Sequence, residues 1–233
     1  MNSVAGGGSF VTLPALIAAG LPSTLANSSS TVALFPGSVT AAWTMRSSLH
    51  SFEGVSLRAM AVISLIGGGI GAALLLVTPE VTFTAMLPWL LLFATVVFTF
   101  GRQAGAAMRR YVALGPRSLM ACQVVLSLYG GYFGGAVGIT MLAVWSLFGG
   151  GDLRSMNAAR ITMVTIANGA AVLCFVAAGR VAWAETLVML VTGIAGAYGG
   201  ARLARSANPE VLRRIIIGLC TAMTVAFFWR AYA

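Results

Sequence analysis

The chain has 233 residues, of which 59% are hydrophobic and only 8% are charged. Soluble domains carry about 25% charged residues, so the composition excludes a soluble protein and predicts an all-α, polytopic integral membrane protein. The net charge of +9 comes from arginines in the short breaks between apolar runs, where cytoplasmic loops carry positive charge. Because no basic-aromatic motif accompanies them, we expect no nucleic-acid partner.

Apolar runs follow one another along the whole chain. They predict membrane segments at Val4–Ala19, Thr24–Trp43, Leu57–Val77, Val81–Phe100, Ser118–Phe148, Ser155–Ala178, Val181–Leu203 and Val211–Trp229. The first is short for a span, which needs about 20 residues. Ser118–Phe148 is too long for one span and too short for two full spans.

The two halves of the chain repeat the same features at an offset of about 130 residues. Pro36-Gly37 corresponds to Asn168-Gly169, and Pro79-Glu80-Val81 corresponds to Pro209-Glu210-Val211. We therefore divide the chain into an N-terminal repeat at 1–101, a basic cytoplasmic linker at 102–117 and a C-terminal repeat at 118–233.

Arginine placement predicts that the repeats are inverted. The connection at 78–82 has no arginine, whereas its counterpart at 202–214 has four, so the two connections are expected on opposite faces. This requires Ser118–Phe148 to cross an even number of times, as a re-entrant hairpin or as two tilted short helices. Inverted repeats with interrupted, glycine-rich helices are typical of secondary transporters.

The stretch Leu128–Trp145 holds five glycines within nine positions. Its glycines are Gly130, Gly131, Gly134, Gly135 and Gly138. Each glycine costs about 1 kcal/mol in a helix interior relative to alanine. The cluster therefore indicates either a discontinuous helix, whose freed N–H groups can bind an anion, or a smooth face for close helix packing.

Matching interrupted helices in the two halves predict a binding site for a small anion near the bilayer midplane. Hydroxyls, helix N-termini and one guanidinium supply donors, with few acids to compete. The candidate substrate-binding residues are Gly7, Gly8, Ser9, Asn27, Ser28, Thr31, Gly134, Gly135, Gly138, Thr140, Arg160 and Asn168.

Five of these candidates have a structural alternative. Arg160 lies about one turn into its span and would instead extend to the cytoplasmic headgroups. The cluster Asn27–Thr31 would cap a helix and bond back to its own backbone. Asn168 would bond to a neighbouring helix.

Enzyme, metal and cofactor chemistry find no support in the sequence. It lacks HExxH, CxxC, G-x-S-x-G and GK[ST] motifs. Cys122, Cys174 and Cys220 each lie alone in an apolar run, and His50 is the only histidine. We therefore expect a protein that is not an enzyme, with no catalytic residues, no metal site and no cofactor.

Four motifs carry a family resemblance. Val4–Leu16 (VAGGGSFVTLPAL), Ala26–Thr31 with Phe35-Pro36-Gly37, and Gly130–Thr140 followed by Asn157–Arg160 resemble the sulfite exporter TauE/SafE family. The resemblance implies transport of small sulfur-containing anions, such as sulfite, sulfonates or sulfoacetate, across the bacterial inner membrane. Members usually have a further apolar helix before the first glycine motif, and they favour lysine where Arg160 stands.

The sequence thus predicts a multi-pass secondary transporter whose partners are a small anionic solute and membrane lipid. The alternative is a non-transporting membrane subunit that scaffolds a larger complex. The two differ in whether substitutions in the glycine runs alter solute flux or partner binding.

Overall fold

A computed structural model describes residues 8–49, 55–108, 115–135, 137–145, 147–148, 153–206 and 209–232. Its helices are α1 (Ser9–Ala18), α2 (Ser23–Met45), α3 (Leu57–Val77), α4 (Glu80–Met108), α5 (Pro116–Tyr132), α6 (Val137–Trp145), α7 (Leu153–Ala177), α8 (Trp183–Ser206) and α9 (Pro209–Tyr232). The all-α class is confirmed.

The exterior of the helix bundle is apolar, as a lipid-facing surface requires. Three helical segments in the described residues have the length and hydropathy to cross a membrane, namely Leu57–Val77, Glu80–Val97 and Arg154–Ala177. Large apolar side chains such as Leu173 and Trp229 are exposed on the surface. Contiguous apolar exposure of this kind is rare on soluble monomers, so these faces are suited to contact acyl chains.

Helix α4 continues to Met108, into residues 102–117, which were predicted to form a basic linker. The added residues include Gln103, Ala104 and Ala106, which have high helix propensity. That local preference extends the helix beyond the end of its apolar run.

Helices α5 and α6 of the segment Ser118–Phe148 form a helical hairpin. The Trp145 indole N–H, at the end of α6, donates to Gln123 Oε1 in the first half of α5 at 3.1 Å. The start of α6 lies at the other end of α5, where Val137 packs against Gly130. Helix α6 therefore runs back along α5; an even number of membrane crossings stays a prediction.

Close backbone contacts hold this hairpin against α3. A β-carbon at Gly131 would overlap the carbonyl of Gly68, and one at Gly71 would overlap the carbonyl of Leu128. Gln123 Nε2 adds a buried hydrogen bond to Ser64 Oγ at 2.9 Å. Glycines in this stretch thus serve close packing as well as the helix break described below.

Equivalent helices of the two repeats pack against each other in antiparallel pairs. Asn157 at the start of α7 contacts the sulfur of Met45 at the end of α2, and Thr165 Oγ1 donates to the Ser38 carbonyl farther along. Helices α4 and α9 pair similarly, with a hydrogen bond between Thr95 and Thr224. Antiparallel equivalents are what an inverted repeat requires; the inverted relation itself stays a prediction.

Candidate substrate-binding cavity

A small cavity lies where α2 and α7 cross, between the starts of the two short helices α1 and α6. Its volume is about 50 Å³, enough for a few waters or one small ion, since one water needs about 10–15 Å³ on this scale. The polar and glycine residues among those lining it are Ser9, Thr31, Gly37, Ser38, Gly134, Gly138, Arg160, Thr165 and Asn168.

Two helix N-termini open onto this cavity. Helix α1 begins at Ser9 and α6 at Val137, and both residues line it. The first N–H groups of a helix have no partner within the helix, and the helix dipole places partial positive charge there. Neither helix has an acidic residue in its first turn. The two starts together are therefore suited to an anion.

The break before α6 depends on Gly134. The N–H groups of Phe133 and Gly134 both donate to the Tyr129 carbonyl, at 2.9 and 3.4 Å, and end α5. Gly134 then adopts φ +71°, a conformation that costs other residues about 1–2 kcal/mol. The discontinuous helix expected at this stretch is thus present.

Arg160 is the cation of the cavity. Only 4% of its surface is exposed, so it does not extend to the headgroups. Its Nη2 donates to Asn157 Oδ1 at 2.6 Å, whereas its buried Nε has no hydrogen-bond partner. Within the described residues, none of its contacts is with a carboxylate. A buried cation in this state is costly without a counter-charge.

The guanidinium lies against the backbone of α6. A β-carbon built at Gly138 would be 3.2 Å from Arg160 Nη1 and 3.7 Å from its Cζ. A β-carbon here would be tight against the guanidinium, so glycine favours its close approach to the first turn of α6.

Asn168 lies two turns beyond Arg160 on α7. Its side chain lines the cavity, and its Oδ1 is buried without a hydrogen-bond partner. On the facing helix, Thr31 Oγ1 donates to the Asn27 carbonyl at 2.9 Å and keeps its lone pairs available. Both oxygens are hydrogen-bond acceptors here, so they suit a bridging water or the O–H of a protonated oxyanion held beside the guanidinium.

Comparison with protein families identifies the chain. Residues 1–227 match the model of the family described as "Sulfite exporter TauE/SafE". The chain belongs to the sulfite exporter TauE/SafE family. This member is therefore a membrane transporter.

Bacterial relatives agree with that assignment. The chain is 27% identical, over all of its length and 86% of the relative, to "Probable membrane transporter protein YfcA" of Escherichia coli K12. It is 26% identical to "Probable membrane transporter protein" of Haemophilus influenzae, over 96% of this chain and 88% of the relative. It is 25% identical to "Probable membrane transporter protein ORF9" of Sinorhizobium sp, over 97% of this chain and 86% of the relative. No solved structure matches it.

In this TauE/SafE protein the cavity brings together half of the residues that the sequence singled out. These are Ser9, Thr31, Gly134, Gly138, Arg160 and Asn168. They come from both halves of the chain, namely from α1, α2, α6, α7 and the break before α6.

Other candidates of this family member lie elsewhere. Asn27 Nδ2 donates to the Tyr132 carbonyl at 3.0 Å, at the end of α5. Ser28 Oγ lies within hydrogen-bond distance of the carbonyls of Thr24, Leu25 and Arg180, and its single proton suits the shortest contact, with Arg180 at 2.5 Å.

The remaining candidates are glycines and a threonine. Thr140 is buried but does not line the cavity. A β-carbon at Gly135 would meet the ring of Phe133, and Gly8 directly precedes α1. Gly7 lies outside the described residues.

Sequence reasoning missed two polar residues of this TauE/SafE cavity, Ser38 and Thr165. Ser38 is seven positions after Thr31 on α2, a spacing that returns to the same helix face. Thr165 is three positions before Asn168 on α7 and therefore lies on the same helix face as Asn168. Helical spacing from the polar residues already chosen could have found both.

Proposed function

We propose that this TauE/SafE protein is a secondary transporter of small oxyanions of the sulfur-containing class, such as sulfite, sulfonates or sulfoacetate, in a bacterial inner membrane. The anion binds in the cavity between α1, α6 and α7. One observation carries the proposal: the buried Arg160 guanidinium, with an unpartnered Nε, faces two helix N-termini across a cavity of ion size.

The chemistry of these donors fits a compact oxyanion. A guanidinium offers N–H groups in a fork that matches two oxygens of one anion. The helix starts add partial positive charge, while Thr31 Oγ1 and Asn168 Oδ1 can accept a hydrogen bond from a bridging water or from the O–H of a protonated oxyanion. Binding an anion would supply the counter-charge that Arg160 lacks among the described residues.

The proposed substrate class rests on the description of the family and on the volume of the cavity. The family is named for sulfite export, while the relatives are named only as probable membrane transporters. A cavity of about 50 Å³ favours a solute of a few heavy atoms over a large organic anion.

Flux measurements in proteoliposomes test the proposal. We expect the purified protein to carry radiolabelled sulfite or a small sulfonate, and Arg160→Gln to lower the flux at least about tenfold, because truncating a buried charged partner costs about 2–5 kcal/mol. Arg154→Gln is the matched control, since Arg154 is an exposed arginine on the same helix.

Charge and geometry at position 160 can be separated with Arg160→Lys. We expect partial flux, because lysine keeps the charge but loses the fork. Equal flux in the native protein, Arg160→Gln and Arg154→Gln would remove Arg160 from the binding site.

A further inference from the structure

A second, larger cavity lies at the opposite end of α2. Its volume is about 450 Å³. Hydroxyl and charged residues line part of it, namely Thr24, Ser28, Thr78, Glu80 and Arg180. Because α4 runs from Glu80 toward the basic linker, this cavity lies at the face away from the linker. We call it the outer cavity, and the cavity that holds Arg160 the inner cavity.

The two cavities are neighbours along α2. Ser28 lines the outer cavity and Thr31 lines the inner one. Residues three apart lie on the same helix face with a rise of about 4.5 Å. Only about one turn of α2 therefore separates the two spaces.

We propose that the outer cavity is a second anion-binding station on one permeation path, continuous with the inner cavity when the layer between them opens. This rests on the proposed function, because it takes the inner cavity as the central binding site. The cation of the outer station is Arg180, which is exposed where it lines that cavity.

Glu80 does not cancel the positive character of the outer cavity, because its carboxylate is held by the start of α2. It accepts hydrogen bonds from the backbone N–H groups of Ser23 and Thr24 and from the Thr24 hydroxyl. The partial positive charge of that helix start offsets the carboxylate. The Arg180 guanidinium therefore remains the group that attracts an anion from bulk water.

At Ser28 and Ser29, which lie along α2 between Leu25 of the outer cavity and Thr31 of the inner cavity, α2 is hydrogen-bonded to the turn that joins α7 to α8. Ser28 Oγ donates to the Arg180 carbonyl, and the Ala182 N–H donates to Ser29 Oγ at 2.9 Å. Both serines are at most 1% exposed, so the path is closed here. These side-chain contacts can separate without breaking a helix, and their separation would join the two cavities.

Thiol accessibility tests this path independently of the solute. In a variant with Cys122, Cys174 and Cys220 replaced by alanine, single reporters are placed at Leu25→Cys in the outer cavity and Leu34→Cys in the inner cavity. A membrane-impermeant maleimide is then applied to vesicles of either orientation.

We expect Leu25→Cys to react from the Glu80 face and Leu34→Cys to react mainly from the opposite face. Ser28→Ala with Ser29→Ala should raise the labelling of Leu34→Cys from the Glu80 face several-fold. The matched control is Thr40→Ala with Thr44→Ala, exposed residues of α2 that bond only to their own helix. Unchanged labelling in the serine variant, or an unreactive Leu25→Cys, would overturn the proposal.

Arg180→Gln tests the outer station itself. We expect the KM for sulfite to rise several-fold when it enters from the Glu80 face and to stay unchanged from the other face. An equal KM from both faces would overturn the assignment of Arg180.

If labelling follows the expected pattern while sulfite is not carried, the path stands and the proposed substrate fails. If sulfite flux depends on Arg160 while labelling does not respond, the proposed function stands and the shared path fails.

Discussion

At the scale of single residues, the contact between Arg160 and Gly138 is the most specific feature of the proposed site. The guanidinium is almost fully buried, and a β-carbon at position 138 would lie 3.2 Å from its Nη1, a tight contact that glycine avoids. A cation and a helix start are thereby held close enough to bind one solute together. Neither residue alone defines an anion site, because arginines and glycines are both common in this chain.

Gly138→Ala should therefore weaken transport without unfolding the protein. The new β-carbon would lie 3.2 Å from Arg160 Nη1, so the guanidinium must shift by a few tenths of an ångström. We expect the KM for sulfite in proteoliposomes to rise about threefold to tenfold, less than about 1.4 kcal/mol of binding free energy. Gly37→Ala is the control, since Gly37 lines the same cavity with open space around its Cα. A similar KM in both variants would contradict the role of the contact.

At the scale of helices, glycines decide how closely α3 approaches the α5–α6 hairpin. Gly71 and Gly68 pack against the backbone of α5 and α7, whereas a β-carbon at Gly69, between them in sequence, would meet only the methyl group of Ala170 at 4.0 Å. A smooth helix face allows backbones to approach, as in Gly-xxx-Gly pairs. The hairpin that presents α6 to the cavity is thus positioned by contacts far from Arg160.

Gly71→Ala should destabilise the protein, while Gly69→Ala should not. The added methyl group at position 71 overlaps the Leu128 carbonyl, and forcing extra atoms into a packed interior costs about 1–3 kcal/mol. At position 69 the gain in helix propensity, up to about 1 kcal/mol, should dominate. Thermal unfolding in detergent measures both. A lower Tm for Gly69→Ala than for Gly71→Ala would show that packing against α5 does not limit stability.

At the scale of the whole molecule, the antiparallel pairing of α2 with α7 and of α4 with α9 supports an inverted repeat. In each pair, the end of one helix meets the start of its equivalent, as the contacts of Met45 with Asn157 and of Ala85 with Tyr232 illustrate. Antiparallel packing of equivalent helices about the centre places the interrupted segments of both repeats side by side. Two helix N-termini then face one cavity.

Sidedness of labelling tests the inverted arrangement. On a cysteine-free background, Thr82→Cys and Ser206→Cys lie in or beside equivalent connections, and we expect an impermeant thiol reagent to reach them from opposite faces of the membrane. The positive-inside rule gives the reason, since arginines surround only the second connection. A membrane-permeant reagent, which should label both, checks that each thiol is reactive. Labelling of both from one face would exclude inversion.

Much of the architecture could be predicted from the sequence because hydropathy and glycine content act within a single segment. The predicted span Leu57–Val77 coincides with α3. The glycine cluster indicated either a broken helix or a close-packing face, and the described residues show the break at Gly134 and the close contact at Gly131. The even number of crossings at Ser118–Phe148 stays a prediction. The family could likewise be identified from local motifs.

Only the tertiary structure decided which polar residues share a cavity. Asn27, Ser28 and Thr31 look alike in sequence, yet Asn27 bonds to the end of α5, Ser28 lines the outer cavity and Thr31 the inner one. Which face of α2 meets each neighbour depends on its crossing with α7 and on the position of the α5–α6 hairpin. Those relations join segments more than a hundred residues apart, and no local pattern encodes the rotation of one helix against another.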